Sequence, residues 1–316
     1  MHAAGLNLRD LRTRLGAHVV ACLLAAAALL PATAAADPHV LVLGCVSNDP
    51  KGDYEELKPL LDYIVPRMAD VGIREGRVLM ARDMQQMGSY LRRGRVDWVT
   101  GSVATGLQLQ ARAAAAPMLM SERNGMEHDR TVFFVRRDSA LASLQDLRGH
   151  SIALKDPAST SAYFVPAMQL LEDGMSLQRL LSPMDRPDGR SVGFVLGGSD
   201  LNVVTWVARG LVDAGAIGQA QLDDPSTSPA SPRSGFRIIG SSAAYPLALE
   251  VTRSDLDPRV RSRLRELLIK AAADPDARDA MLQFSATSRF LPIDGADDAT
   301  LQHMRAGIAR VRAEVE

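Results

Sequence analysis

Cysteine is nearly missing from this 316-residue chain, which has two, and only Cys45 lies beyond the first 36 residues. A single thiol closes no internal disulfide, so the core must hold by packing alone. Cys45 follows the apolar run Val40-Leu41-Val42-Leu43-Gly44 and has no histidine or basic residue beside it. That context reads as a buried structural thiol, with a reactive thiol as the alternative. An excess of charge is missing too, since 36 Lys and Arg stand against 37 Asp and Glu. A chain so balanced has no electrostatic footprint for nucleic acid or an anionic membrane. The six histidines are scattered, with no Cys–His pair, no Ser–His–Asp arrangement and no spacing of metal ligands. Glu127-His128-Asp129 is the one mild cluster and reads as a solvated loop. No enzyme, no metal and no cofactor is expected.

What is present begins at the N-terminus. Arg9, Arg12 and Arg14 precede an apolar stretch from Val19 to Leu30, followed by Pro31 and the small-residue run Ala32-Thr33-Ala34-Ala35-Ala36. That order is a secretory signal peptide, residues 1–36, cleaved after Ala36. The stretch falls short of the roughly 20 apolar residues a membrane span needs, and a retained anchor or buried helix is the alternative. Val19-Val20-Ala21-Cys22 loosely suggests a lipoprotein box, but no hydrophobic segment precedes it. Cleavage removes three arginines and one aspartate and leaves a net charge of about −3. The expected product is a periplasmic monomer beginning at Asp37, with no membrane insertion. Some 280 residues suit two medium domains or one large one.

From His39 the chain alternates short apolar runs with amphipathic stretches. Strands are expected at Val40–Leu43, Arg77–Met80 and Val96–Val99, with helices over Glu55–Val71 and Met84–Arg93 between them. This order argues a parallel α/β sheet. The pattern restarts with strands at Thr131–Arg136, Ser151–Leu154, Ser191–Leu196, Asp213–Ile217 and Phe236–Gly240. Helices are expected at Ser143–Leu147, Tyr163–Asp173, Asn202–Arg209, Arg259–Ala273 and Thr300–Val311. Asp223 to Gly235, rich in Ser, Pro and Asp, reads as a surface loop. Thr131–Arg136 and Ala243–Val251 bracket the second unit and are expected to serve as two crossings. The C-terminal helices would then complete the first lobe. The fold class is therefore α/β, two Rossmann-like lobes joined by a two-strand hinge. Lobe 1 takes residues 37–132 and 247–316, and lobe 2 residues 133–246. A simple tandem of two domains fits the periodicity nearly as well.

One stretch is specific. Phe133-Phe134-Val135-Arg136-Arg137-Asp138 leads through Ser143-Leu144-Gln145-Asp146-Leu147-Arg148-Gly149 to Ser151-Ile152-Ala153-Leu154. Asp156-Pro157-Ala158-Ser159-Thr160-Ser161-Ala162-Tyr163-Phe164-Val165-Pro166 follows, then Gly197-Gly198-Ser199-Asp200 and Gly210-Leu211-Val212-Asp213-Ala214-Gly215-Ala216. This text resembles the phosphate, phosphite and phosphonate-binding proteins of ABC importers, from about Val40 to Leu291. The resemblance implies a type II periplasmic binding protein, a small oxyanion ligand and an ABC permease as partner. It places Ser159, Thr160, Ser161 and Tyr163 at the ligand, and Asp213 in an acidic block beside the hinge.

The residues support an anion site in their own right. Ser159-Thr160-Ser161 stands between a strand and a helix, where hydroxyls join the unpaired N–H groups of a first turn. One hydroxyl is an ordinary helix cap, and three exceed that need. The opposite wall is expected from Thr100 and Ser102 after the third strand and from Ser47 and Asn48 after the first, with turn chemistry as the alternative. Two departures bear on the ligand. The aromatic that relatives carry after the third strand is replaced by Thr100-Gly101-Ser102-Val103-Ala104-Thr105, and Asp200 stands where relatives carry histidine. An ionised carboxylate only accepts hydrogen bonds, so Asp200 suits a ligand hydroxyl or ammonium, or else points away. Glu250 is placed to meet a ligand amine or to form a hinge salt bridge.

The expected function is capture of a phosphonate or phosphate-like oxyanion between two lobes and its delivery to a permease. A sensor of the same fold, signalling to a membrane kinase or cyclase, is the alternative. A DNA-binding regulator would need a helix-turn-helix where the signal peptide stands.

Overall fold

A computed structural model of the chain describes residues 37–228 and 234–316. The expected signal peptide, and residues 229–233 of the expected loop, lie outside the described residues. Strand β1 (Val40–Val46) opens the chain and helix α1 (Pro50–Ile64) follows. The Asp49 carboxylate accepts the N–H of Gly52 at 3.2 Å and Pro50 begins the helix, while Leu57, Leu60, Leu61 and Ile64 turn inward. The single helix expected to reach Val71 tightens at Val65 into a 3₁₀ segment. Pro66 has no N–H for the α ladder, and Gly72 at φ +88° ends the run. Then come β2 (Glu75–Ala81), α2 (Met84–Arg92) and β3 (Trp98–Val99).

The elements not legible in the sequence include α3 (Val103–Ala113) and β4 (Ala116–Arg123). Leu107-Gln108-Leu109-Gln110 in α3 alternates as a strand would, and β4 contains no β-branched residue. The chain crosses at β5 (His128–Asp129) and builds β6 (Thr131–Arg136) and β7 (Ser151–Leu154). It continues with α4 (Val165–Glu172), β8 (Leu177–Arg179), β9 (Val192–Leu196) and α5 (Asp200–Ala208). Strand β10 (Ala214–Gly218), the short α6 (Gln219–Asp223) and β11 (Phe236–Ser241) finish this half. The return runs through β12 (Tyr245–Pro246) to β13 (Ala248–Thr252), α7 (Pro258–Ala271), α8 (Arg278–Gln283), β14 (Thr287–Leu291) and α9 (Gly295–Glu314).

Among the described residues there are two six-stranded sheets, ordered β14-β4-β13-β3-β1-β2 and β11-β6-β10-β7-β9-β8. Both are mixed rather than parallel. Strands β13 and β14 oppose β4 in the first sheet, and β6 opposes β10 and β11 in the second. The crossings are shorter than expected: β5 and β12 pair antiparallel with each other, while Thr131–Arg136 and Ala248–Thr252 lie one in each sheet. Separate cores back each sheet, around Leu43, Trp98 and Phe284 in the first and around Phe134, Val204 and Phe236 in the second. A third core joins both halves.

Helix α9, expected to complete lobe 1, instead packs against α3 of one half and α4 of the other. Its Leu301, Met304, Ile308 and Val311 share one cluster with Met87 and Val99 of the first half and Phe133 and Tyr163 of the second. Arg312 donates to Gln108, and Arg310 Nη1 to the carbonyl of Leu171 at 3.1 Å. Among the described residues no helix is long and apolar enough to cross a membrane.

Candidate functional site

The chain leaves the first sheet at the C-terminal end of β4 and the second at that of β11, so these edges meet the hinge. Strands β1 and β3 run with β4, and β7, β9 and β10 run with β11. The residues just beyond them therefore share the two facing edges, the usual ligand edge of open α/β sheets.

In the second half, Ser159 Oγ accepts the N–H of Ala162 at 3.1 Å and caps the segment that becomes α4. Its carbonyl accepts the N–H of Phe164 at 3.1 Å, a five-residue step that makes Thr160–Phe164 one wide π turn. Thr160 Oγ1 accepts the N–H of Ala104 at 3.0 Å. Ala104 lies in the first turn of α3, which Ser102 caps by accepting the N–H of Thr105 at 3.3 Å. The starts of two helical segments, one from each sheet, thus converge on the Thr160 hydroxyl. The carbonyl of Ser161 accepts Thr131 Oγ1 at 2.7 Å, and that same Thr131 hydroxyl pairs with the hydroxyl of Tyr245 in β12 at 3.1 Å. Burial raises the Tyr245 phenol above its ordinary range, partly offset by the bond to Thr131. The hydroxyl-rich turn is thereby tied to the hinge.

In the first half, Thr100 Oγ1 donates to Glu250 Oε1 at 3.0 Å and accepts Arg123 Nη2 at 2.9 Å. Asn48 is exposed beyond β1, and the neighbouring Ser47 is buried. Asp200, the first residue of α5, is met by Lys155 Nζ at 2.9 Å. Its charge is matched inside the protein. Glu250, read as meeting either a ligand amine or a salt-bridge partner, is fully buried with Arg123 Nη2 3.7 Å away. Burial raises its carboxyl above the ordinary range, opposed by Arg123 and by the hydrogen bonds of Trp98, Thr100 and Ser121.

Two expected ligand contacts are not at these edges. Tyr163 is 2% exposed and packs edge-on against Phe164 and Phe194, because the wide turn carries it inward toward the shared core. Asp213 precedes β10 at the opposite edge of the second sheet, where it accepts the N–H and the hydroxyl of Ser151, each at 2.8 Å. Cys45 is buried, and burial, with Asp53 and Glu56 nearby, pushes its thiol up to about 12. Sequence reasoning passed over Arg123, Lys155 and Tyr245. Lys155 was findable, since it directly follows the strand at Ser151–Leu154. Arg123 was not, because its strand was not recognised. Among the described residues no three His, Cys, Asp or Glu side chains gather as metal ligands do.

A family model for the periplasmic phosphonate substrate-binding proteins of ABC transporters matches residues 43–298. XAC2383 from Xanthomonas citri, solved bound to chloride, is 47% identical over 88% of this chain and 100% of that one, with a TM-score of 0.84. The same protein bound to ATP aligns at 46% identity with the same coverage and TM-score. PhnD1 from Prochlorococcus marinus in complex with methylphosphonate is 18% identical, covering 88% of this chain and 100% of that one, at a TM-score of 0.60. At that identity the likeness is one of fold.

Proposed function

The chain belongs to the periplasmic phosphonate substrate-binding protein family of ABC transporters, and from that premise we propose that it captures a phosphonate or phosphate-ester anion between its two sheets and hands it to an importer. The family is one of transporter binding proteins rather than enzymes. The observation that carries the ligand reading is the convergence of two helix starts on Thr160, through the 3.0 Å bond from Ala104. First-turn N–H groups and the positive helix end favour an anion there. Parting the edges by that one bond frees an N–H and a hydroxyl for a ligand oxygen, with Ser159 and Ser161 alongside. Closure around the ligand would present a closed surface to the permease. The chloride-bound and ATP-bound forms of the Xanthomonas protein support the reading of an anionic ligand, phosphate esters included.

Calorimetry of the chain from Asp37 with methylphosphonate, inorganic phosphate and ATP tests this. Charge-assisted hydrogen bonds contribute roughly 1.5–3 kcal/mol each, so replacing Ser159, Thr160 and Ser161 together by alanine should abolish most affinity while the fold survives. Unchanged affinity in that variant would move the site elsewhere. Export belongs to the same proposal: the protein purified from the periplasm should begin at Asp37 and be monomeric. N-terminal sequencing that finds Met1, or a lipid on Cys22, would overturn it.

A further inference from the structure

Buried polar atoms in folded proteins nearly always have a partner, so an exception asks for an explanation. Two exceptions stand at the facing edge of the first sheet. Arg123 Nε is buried with no hydrogen-bond partner among the described residues, and so is Ser47 Oγ, in a residue 7% exposed. They end β4 and follow β1, strands that run in the same direction. Arg123 is the last residue of β4, directly before the chain turns toward the hinge.

The surroundings of Arg123 hold its guanidinium without using it up. Its Nη2 donates to Thr100 Oγ1 at 2.9 Å. Glu250, its obvious counter-ion, is bonded instead by neutral donors: Trp98 Nε1 at 2.7 Å, Thr100 Oγ1 at 3.0 Å and Ser121 Oγ at 3.2 Å. The Arg123–Glu250 approach is 3.7 Å, with no forked pair between them. A guanidinium carries five donors in a fixed plane and stays charged at any physiological pH. Most of that capacity is unspent here. A purely structural arginine would be expected to close both arms on the carboxylate.

We propose that Arg123 is a ligand-binding residue, offering its guanidinium to a negatively charged oxygen of a phosphate or phosphonate group, with Thr100 and Glu250 as the residues that position it. The inference rests on the proposed anion site and adds to it a fixed positive charge from the first sheet. Ser159 to Ser161 supply neutral donors from the second sheet, and Arg123 supplies the charge across from them. Ser47 Oγ stands at the same edge of the sheet, beyond β1 and separated from β4 by β13 and β3.

The test compares wild type, Arg123→Lys and Arg123→Gln by calorimetry with inorganic phosphate, methylphosphonate and ATP, at low and high salt. Arg123→Gln should weaken the probe that wild type binds by roughly tenfold or more, from loss of one charge-assisted bond, and should flatten the salt dependence. Arg123→Lys should keep the salt dependence but lose part of the affinity, because an ammonium lacks the fork. If Arg123→Gln does not fold, the R123Q/E250Q chain removes the buried carboxylate with the guanidinium and is compared with E250Q. Equal affinity and equal salt dependence with and without Arg123 overturn this inference alone. A wild-type chain that binds none of the three probes overturns the proposed function, and this inference with it.

Discussion

Asp200 carries the ligand question at the scale of single residues. Read alone it opposes a dianion, and paired with Lys155 at 2.9 Å it is neutralised at the edge where the anion is proposed. Asp200→Asn leaves Lys155 uncompensated. A unit charge at about 4 Å contributes roughly 1–4 kcal/mol between water-like and surface-like dielectrics, so affinity for inorganic phosphate should rise about fivefold or more. Calorimetry checks this, and an unchanged Kd would mean that the pair lies away from the ligand. Asp213 belongs to stability instead. Burial works against its charge, but the N–H and hydroxyl of Ser151 outweigh it and hold the carboxyl below its ordinary range. A depressed carboxyl contributes stability above its unfolded pKa and loses it as pH falls through the folded value. Asp213→Asn should therefore cost about 1–2 kcal/mol at pH 7, less at pH 3, and leave ligand affinity alone. Urea titrations at the two pH values read the difference. Glu250 acts with the opposite sign, since its raised carboxyl favours the fold at low pH and is a liability as pH rises through its folded value.

Among elements, β10 fits closely against its neighbours. Gly215 stands opposite Phe134 in the neighbouring β6, and a methyl group there would come within 2.7 Å of Phe134, 2.9 Å of Val207 and 3.0 Å of Val203. These are core side chains with no room to retreat, so Gly215→Ala should destabilise by about 1–3 kcal/mol despite the usual gain from replacing glycine. A denaturant midpoint at or above the wild type would show that α5 shifts freely away from the sheet. The existence of β10 was evident from Ala214-Gly215-Ala216-Ile217. Its neighbours were not, because a strand's own residues carry no record of which strand lies beside it. The same holds for β4, whose Pro117 and methionines suit a strand only because β13 and β14 flank it.

For the whole molecule, α9 decides how the halves behave. Leu301, Met304, Ile308 and Val311 pack into a core that both sheets share. Burying side chains of this kind contributes about 1.5–3 kcal/mol each, so the two halves should unfold together. Calorimetry should show one transition whose van't Hoff and calorimetric enthalpies agree, and two separable transitions would contradict a common core. Ile308→Ala should lower stability by about 2–5 kcal/mol without splitting that transition. On the proposed function, the parts free to part the two edges are the short β5–β12 pair and the Thr160–Ala104 bond, since α9 packs against both halves.

The amino-acid sequence by itself determined the alternation of strands and helices, the hydroxyl-rich turn at Ser159–Ser161 and its likeness to a family of anion carriers. Each is written in contiguous residues, where hydrophobic period and helix-start chemistry act between neighbours. The tertiary structure alone decided the strand order, the bridging position of α9, the removal of Tyr163 to the core and the placing of Asp213 at the far edge. It also brought Arg123 to Thr100 and Thr100 to Glu250, across separations of 23 and 150 positions. Such contacts depend on how whole sheets pack, and the polar atoms they leave without partners have no local signature.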